Sequence, residues 1–454
     1  MVGEVSTGLR CGYFLSMKGG RASGEQAVER DVYLQFSGGK ITEVSPWSSE
    51  KSKLADEFID ASSMAVMPGL VNAHTHLAMT LFRGLEDDVP FHKWLFERIL
   101  PLEAKLVDRD FVRVGTELAL LESIRFGVTS TADMYFFANT VADCVERAGT
   151  RAWIAQVLAD GPLPEDAELG KDKFKLYREF HKRYSGHERI VPALGPHAPY
   201  TCSDLTLRKV SDVANELSGF IHTHVAETKH EQEESLKLHG KTSVRRLADL
   251  GILGPRTIAA HCVHFTDDDI EIFKRSGASV VYNPDSNLKL SSGVAPIARY
   301  LREGITVAMG TDGAASNNDL SIFGAMDLGT KIQKLASGDN TAMVASDALV
   351  AATWGGAKAL GLQDKIGSLE VGKDADLILI DLDHAHLQPL HDLRSQLVYS
   401  TQGLEVDTVF CRGRALMRKK EVLSIEKARV LKEADAIREK IQASLKRFTS
   451  RGQA

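Results

Sequence analysis

The sequence predicts an α/β chain: a (β/α)8 TIM-type barrel with a small β-sandwich domain built from both termini. Three observations carry this. Apolar strand-like runs alternate with amphipathic stretches eight times in the middle of the chain, the rhythm of such a barrel. Histidines and acids recur where those runs end. The flanks on either side lose the helical spacing and become strand-rich. A doubly wound open sheet obeys the same alternation and is the alternative.

Taken in order, residues 1–67 hold "DVYLQFSGGKITEVS", two β-type runs around a Gly-Gly turn, which predicts a hairpin. Near the other end "GSLEVGKDADLILIDLD" and "VDTVFCRGRALMRKK" are also strand-like. Residues 1–67 and 368–424 are therefore expected to meet in one composite β domain, beside a barrel over 68–367. The barrel strands are expected in "AVMPGLVNAHTH", "GVTSTADMYFF", "RAWIAQVLAD", "RIVPALGPHAPY", "GFIHTHVAET", "RTIAAHCVHF", "GASVVYNPDSN" and "GITVAMGTDG". Between them, Phe111, Val114, Leu118 and Leu121 recur at helical spacing with Gly127 as a stop. "DLTLRKVSDVANELSG" repeats the design, with Gly219 past its end. The tail, 425–454, carries a helical apolar stripe and is expected to be a surface or interface helix. That leaves a homo-oligomer open.

Composition sets the class. With 43% hydrophobic and 26% charged residues the chain has material for a sizeable core. A net charge of −6 argues against nucleic acid or an anionic membrane as a partner. The five cysteines, Cys11, Cys144, Cys202, Cys262 and Cys411, are odd in number and scattered, as in a reducing compartment. The first twenty residues show no signal-peptide core and no apolar run reaches membrane-spanning length. A cytoplasmic protein is expected.

The chemistry begins at "PGLVNAHTHLAMT". In a strand alternate side chains share a face, so His74 and His76 point the same way at the strand's end. The later strand ends add Asp133, His197, His222 and His224, His261, Asn283 and Asp312. Two histidines from the first strand, one from the fifth and the aspartate of the eighth would close a mononuclear metal site with room for water. Spacing alone leaves open whether His222 or His224 is the ligand. Glu227, three residues past His224, begins the loop above such a metal and suits proton transfer. Neither HExxH nor the H-x-E…P-C-x-x-C pattern of other zinc hydrolases is present.

"NAHTHLAMTLFRGLEDD", "HVAET", "AHCVHFTDDDI", "NPDSNLKLSSGVAPI" and "GTDGAASNND" together resemble the amidohydrolase superfamily. Within it they are most similar to the 5-methylthioadenosine/S-adenosylhomocysteine deaminases, over roughly residues 60–420. The resemblance implies one divalent metal, usually zinc, with Fe2+ or Mn2+ as alternatives, on His74, His76, His224 and Asp312. It implies Glu227 as proton shuttle and substrate contact, and His261 beside the hydrolytic water with Asp312 sharing its proton. Glu103 would bind ribose hydroxyls, His197 would be a second substrate contact, and Trp94 would lie against the purine. Binuclear members bridge their metals with a modified lysine on the fourth strand, where "ALGPHAPY" offers His197, so one metal is expected. Family members often carry an arginine that contacts substrate after the third strand; "ADGPLPEDAELGKDKFKLY" has lysines but no arginine. The implied reaction is hydrolytic deamination of adenosine-type nucleosides. Guanine or an s-triazine is the alternative substrate, and a non-catalytic assembly barrel the remote alternative.

Overall fold

The computed structural model describes residues 5–20, 28–85 and 87–451. Parts of the expected terminal segments (1–4, 21–27 and 452–454) and Glu86 of the first motif lie outside the described residues. The strands are β1 (Thr7–Phe14), β2 (Glu29–Ser37), β3 (Lys40–Pro46) and β4 (Glu57–Pro68), then β5 (Leu70–Thr75), β6 (Val128–Tyr135), β7 (Arg151–Leu158) and β8 (Ile190–Pro196). There follow β9 (Phe220–Val225), β10 (Thr257–His261), β11 (Ser279–Tyr282) and β12 (Val307–Met309), and finally β13 (Leu377–Asp381), β14 (Val406–Cys411), β15 (Arg414–Arg418) and β16 (Glu421–Val422).

β5 to β12 form one parallel sheet in chain order. Its two ends meet: the Asp312 N–H donates to His74 O at 3.0 Å, and the Thr311 N–H to Asn72 Oδ1 at 3.1 Å. The strands are buried along nearly their whole length, as expected of parallel strands covered on both sides by helices. Their uninterrupted apolar runs have this cause.

The terminal strands make a second, mixed sheet in the order β16-β15-β14-β13-β4-β1-β2-β3. It curls back on itself. Phe36 of β2 meets Phe410 of β14 edge to face at 5.1 Å, although three strands separate theirs in the order. The Ile41 N–H donates to Lys373 O and the Ala375 N–H to Gly39 O, each at 2.9 Å, knitting the β2–β3 hairpin to the segment before β13. The hairpin turn is Gly38-Gly39, both at positive φ (58° and 79°), which glycine adopts without steric cost. β13 shows how the two units share a strand. Leu377 and Leu379 enter the small core, whereas Ile378 and Ile380 pack into the barrel's helical layer.

The helix Arg109–Arg125 is capped by Asp108, which accepts from the Phe111 N–H at 2.8 Å. Its buried side is broader than the predicted stripe, taking in Val112, Gly115, Ala119 and Leu120, while Leu118 and Leu121 are half-buried. It packs against the Leu77–Phe82 turn and the following helix as well as the barrel, and the tail helix Lys427–Arg451 docks on it through Arg429–Glu117 (2.9 Å) and Arg113–Glu433 (2.8 Å). Past the helix Asp204–Leu217 the left-handed position is taken by Ser218 (φ 51°). Gly219 instead answers a close approach, since a Cβ there would lie 2.5 Å from the Tyr177 hydroxyl. Among the described residues no helix is long and apolar enough to cross a membrane.

Candidate metal centre and active site

The cluster forms at the C-terminal mouth of the barrel, where three strand ends turn sharply. Ala226 (φ 50°), His261 (φ 73°), Cys262 (φ 49°) and Asp312 (φ 63°) all sit in the left-handed region, a conformation that costs free energy for a residue with a Cβ and gathers at functional sites.

His76 Nδ1 lies 2.6 Å from Met134 O, and His224 Nδ1 lies 2.5 Å from His197 O. Facing a carbonyl, each Nδ1 carries the proton, so in the neutral ring each Nε2 presents a lone pair. Those two Nε2 atoms nevertheless face each other at 3.3 Å. Asp312 Oδ1 lies 3.3 Å from both His74 Nε2 and His76 Nε2. His74 Nε2 is buried with no hydrogen-bond partner among the described residues. Donors at a tetrahedral zinc with arms of about 2.0–2.1 Å stand about 3.4 Å apart, so three imidazoles and one carboxylate fit a divalent cation in both spacing and chemistry. His74, His76 and His224 form one group with ligand atoms within 4.8 Å of one another, and His74, His261 and Asp312 form another.

The electrostatics agree. Burial pushes His74 down to about 4 and His224 well below the ordinary imidazole range, towards the neutral, ligating form. Burial would lower His76 too, but the Asp312 carboxylate carries it up to about 9. Against its own burial, Asp312 is held well below the usual carboxylate range by His74 and His76. The carboxylate thus favours a positive charge at this point, which a divalent cation would supply.

His222, the other half of the second HxH, points behind the cluster: its Nε2 lies 2.7 Å from His74 Nδ1. His224 is the member of the pair that faces His76. Asp133 and Asn283 stay outside the cluster. Asp133 accepts from the Leu77 N–H at 2.7 Å, holding the turn after His76, and Asn283 packs under Gly310, where a Cβ would sit 2.3 Å from its Oδ1.

Above the cluster lies a cavity of about 730 Å3, lined by the residues that the family resemblance implies for the site except His74, which is buried below it. Glu227 Oε2 is 3.9 Å from His261 Nε2, and burial raises its pKa. Glu103, on the helix Leu100–Leu106, accepts from the Tyr135 hydroxyl at 2.7 Å; burial lifts it to about 7. His197 Nδ1 meets the Thr201 hydroxyl at 3.1 Å, and Trp94 contributes to the same wall.

Sequence reasoning missed the groups that hold these side chains. Asn287 Oδ1 is 2.7 Å from His261 Nδ1, aiming the other nitrogen at Glu227. Ser286 and Ser316 donate to Asp312 Oδ2 at 2.6 and 2.9 Å. Glu231 accepts from the Ala226 and Glu227 N–H groups at 2.7 and 3.0 Å and fixes the loop that bears Glu227. Ser286 and Asn287 do lie in "NPDSNLKL", but nothing in their spacing tells a ligand's support from a loop residue.

With this geometry the comparisons with known proteins agree. The model of the amidohydrolase family matches residues 65–416. The chain belongs to that family. A 5-methylthioadenosine/S-adenosylhomocysteine deaminase of Caldanaerobacter subterraneus is 46% identical over 84% of this chain and 87% of its own. A 5'-deoxyadenosine deaminase of Methanothermobacter thermautotrophicus is 43% identical over 84% of this chain and 88% of its own. Among solved structures, an adenosine deaminase of Xanthomonas campestris with bound zinc superposes with a TM-score of 0.92 at 36% identity, covering 96% of this chain and 98% of that one. This amidohydrolase thus shares its fold and much of its sequence with hydrolases of C–N bonds.

Proposed function

We propose that the chain is a metal-dependent aminohydrolase that converts adenosine-type nucleosides into inosine-type products and ammonia. The observation that carries this is the facing of unpaired imidazole nitrogens and a carboxylate beneath a cavity whose walls bear Glu227 and Glu103. His74, His76, His224 and Asp312 would hold one divalent cation; zinc fits the three-nitrogen, one-oxygen donor set, with Fe2+ and Mn2+ the alternatives. When bound, the cation acidifies water and polarises the reacting carbon. The chain's own groups do the rest. The water oxygen bonds to C6 of the purine. Glu227 passes one of the water's protons to N1. The second proton reaches the departing amino group by way of His261 and Asp312, the C6–N bond breaks, and ammonia leaves. Burial raises the pKa of Glu227 above its ordinary value, the direction that suits a group that must take and give a proton. Glu103 accepts from the two ribose hydroxyls, with His197 and Trp94 as further substrate contacts.

On this reading the catalytic unit is 68–367, the composite β domain 1–67 with 368–424, and the tail helix 425–454. The five cysteines, all free and buried, suit the cytoplasm. Ammonia release from adenosine, 5'-methylthioadenosine, S-adenosylhomocysteine, guanine and an s-triazine tests the reading. Turnover of the adenine nucleosides is expected; turnover confined to guanine or the triazine would overturn it.

A further inference from the structure

The relatives differ, by name, in the 5' end of the nucleoside. S-Adenosylhomocysteine ends in an amino acid with a free carboxylate; 5'-methylthioadenosine and 5'-deoxyadenosine end in a methylthio and a methyl group. The charge of the cavity wall separates these substrates.

Beyond the groups assigned to the reaction and to the ribose, the cavity is lined by the carboxylates of Asp160 and Glu234 and by Glu231, which burial lifts to about 7 and whose oxygens hold the Glu227 loop. Asp160 accepts from the Ser203 N–H and the Thr206 hydroxyl, both at 2.6 Å. Those hydrogen bonds outweigh its burial and keep it charged. No lysine is among the described lining residues, and one guanidinium is. That guanidinium, Arg246, is buried and already spanned: Nε donates to Asp204 at 2.8 Å, Nη1 to Pro199 O at 2.6 Å and Nη2 to Cys202 O at 2.9 Å. It holds the loop after β8 in place. His197 is engaged with the Thr201 hydroxyl at 3.1 Å, and His239 sits at the exposed end of its helix. A substrate carboxylate would therefore lose its water to walls whose one guanidinium is spent and that bear the like charges of Asp160 and Glu234.

We infer that this cavity selects adenosine-type nucleosides whose 5' substituent carries no free carboxylate, and that it discriminates against S-adenosylhomocysteine. The inference rests on the nucleoside reading above. An amine at the same position is tolerated, since the acidic wall suits it; S-adenosylhomocysteine carries that ammonium as well, so only its carboxylate, which finds no unspent cation, sets it apart.

The test compares kcat/KM for 5'-methylthioadenosine, S-adenosylhomocysteine and the decarboxylated homologue, 5'-deoxy-5'-(3-aminopropylthio)adenosine. The first and third are expected to agree within a few-fold, with S-adenosylhomocysteine at least about ten-fold lower, since like-charge contacts in a desolvated site are costly. Asp160→Asn should raise the S-adenosylhomocysteine to 5'-methylthioadenosine ratio several-fold. Should that variant fail to fold, Glu234→Gln on an exposed helix position makes the same comparison. S-Adenosylhomocysteine equal to 5'-methylthioadenosine would overturn the selectivity and leave the deaminase reading intact. Equal losses for both long tails would make length the determinant and also overturn it. No ammonia from any of the three would refute the nucleoside reading itself, and this inference with it.

Discussion

Glu227 and Glu103 are buried carboxylates in one cavity, and burial raises the pKa of both, yet the geometry gives them different work. Glu227 stands beside His261 above the imidazole cluster, so it can exchange a proton with water. Glu227→Gln keeps the shape and removes the base; kcat should fall by at least ~10²-fold with metal content unchanged. Near-normal turnover would remove it from the chemistry. Among the described residues Glu103 meets the Tyr135 hydroxyl, which leaves acceptor capacity for vicinal hydroxyls. Glu103→Gln should lower kcat/KM for a ribonucleoside by about one to three orders of magnitude, since hydrogen bonds to charge are worth roughly 1.5–3 kcal/mol each, and should spare a 2',3'-dideoxy analogue. The sign of the pH effect follows from a value near 7. Above it Glu103 is ionised and, on the proposed reading, would accept from both hydroxyls; below it the carboxyl is protonated and that grip would weaken. KM for the ribonucleoside should therefore rise as pH falls through neutrality, and in Glu103→Gln that dependence should flatten. The metal has its own check. Elemental analysis should find about one equivalent in the purified protein and much less in His76→Ala; equal content in both would refute the site.

At the scale of elements, what was legible followed from local period. Alternation put His74 and His76 on one side of the chain where β5 ends, and the Gly38-Gly39 pair marked the hairpin, because both depend on a few adjacent residues. Eight strand–helix alternations gave the barrel for the same reason. What could not be read depends on partners far along the chain. His222 and His224 share a face of β9, and only barrel closure decides that one backs His74 while the other faces His76, each 148 residues away. The tail helix likewise carried an apolar stripe without an address; its address is the helix Arg109–Arg125. That helix also holds the turn after His76 through one small residue. A Cβ on Gly115 would stand 2.4 Å from Ala78 O and 2.8 Å from Ala78 Cα, backbone atoms that cannot swing aside. Gly115→Ala should push the Leu77–Phe82 turn off the helix at a cost of ~1–3 kcal/mol. It should lower the thermal midpoint and, through the displaced turn, loosen His76 and the metal. A wild-type midpoint would show that the two elements yield more easily than this contact allows.

Across the whole molecule, the chemistry occupies one end of the barrel and the anchorage the other. The small sheet abuts the starts of the barrel strands: the Gly69 N–H donates to Asp376 O at 3.0 Å, and Arg151, the first residue of β7, reaches into the segment before β13. There its Nη2 donates to Asp374 at 2.8 Å, its Nε to Asp376 at 3.3 Å and its Nη1 to Glu188 O at 2.7 Å. All three charged side chains are nearly fully buried. The other lone pairs are used as well, Asp376 Oδ1 by the Arg412 N–H at 2.7 Å and Asp374 Oδ1 by Lys40 at 2.6 Å. A satisfied buried pair adds little over a well-packed apolar one, but removing one partner strands the other charge, at about 3–5 kcal/mol. Arg151→Met is thus expected to weaken the latch between sheet and barrel strongly. Two readouts separate this from a catalytic effect. The thermal transition should move down and can split in two, since nothing then obliges both units to unfold together. At a temperature where the variant is folded, kcat should stay near wild type, because the reacting groups sit at the opposite ends of the strands. Replacing Asp374 and Asp376 by Asn in the same chain should recover part of the loss, as no uncompensated charge is then left buried. An unchanged midpoint in Arg151→Met would mean that apolar contacts such as those of Ile378 and Ile380 hold the two units together without the ion cluster.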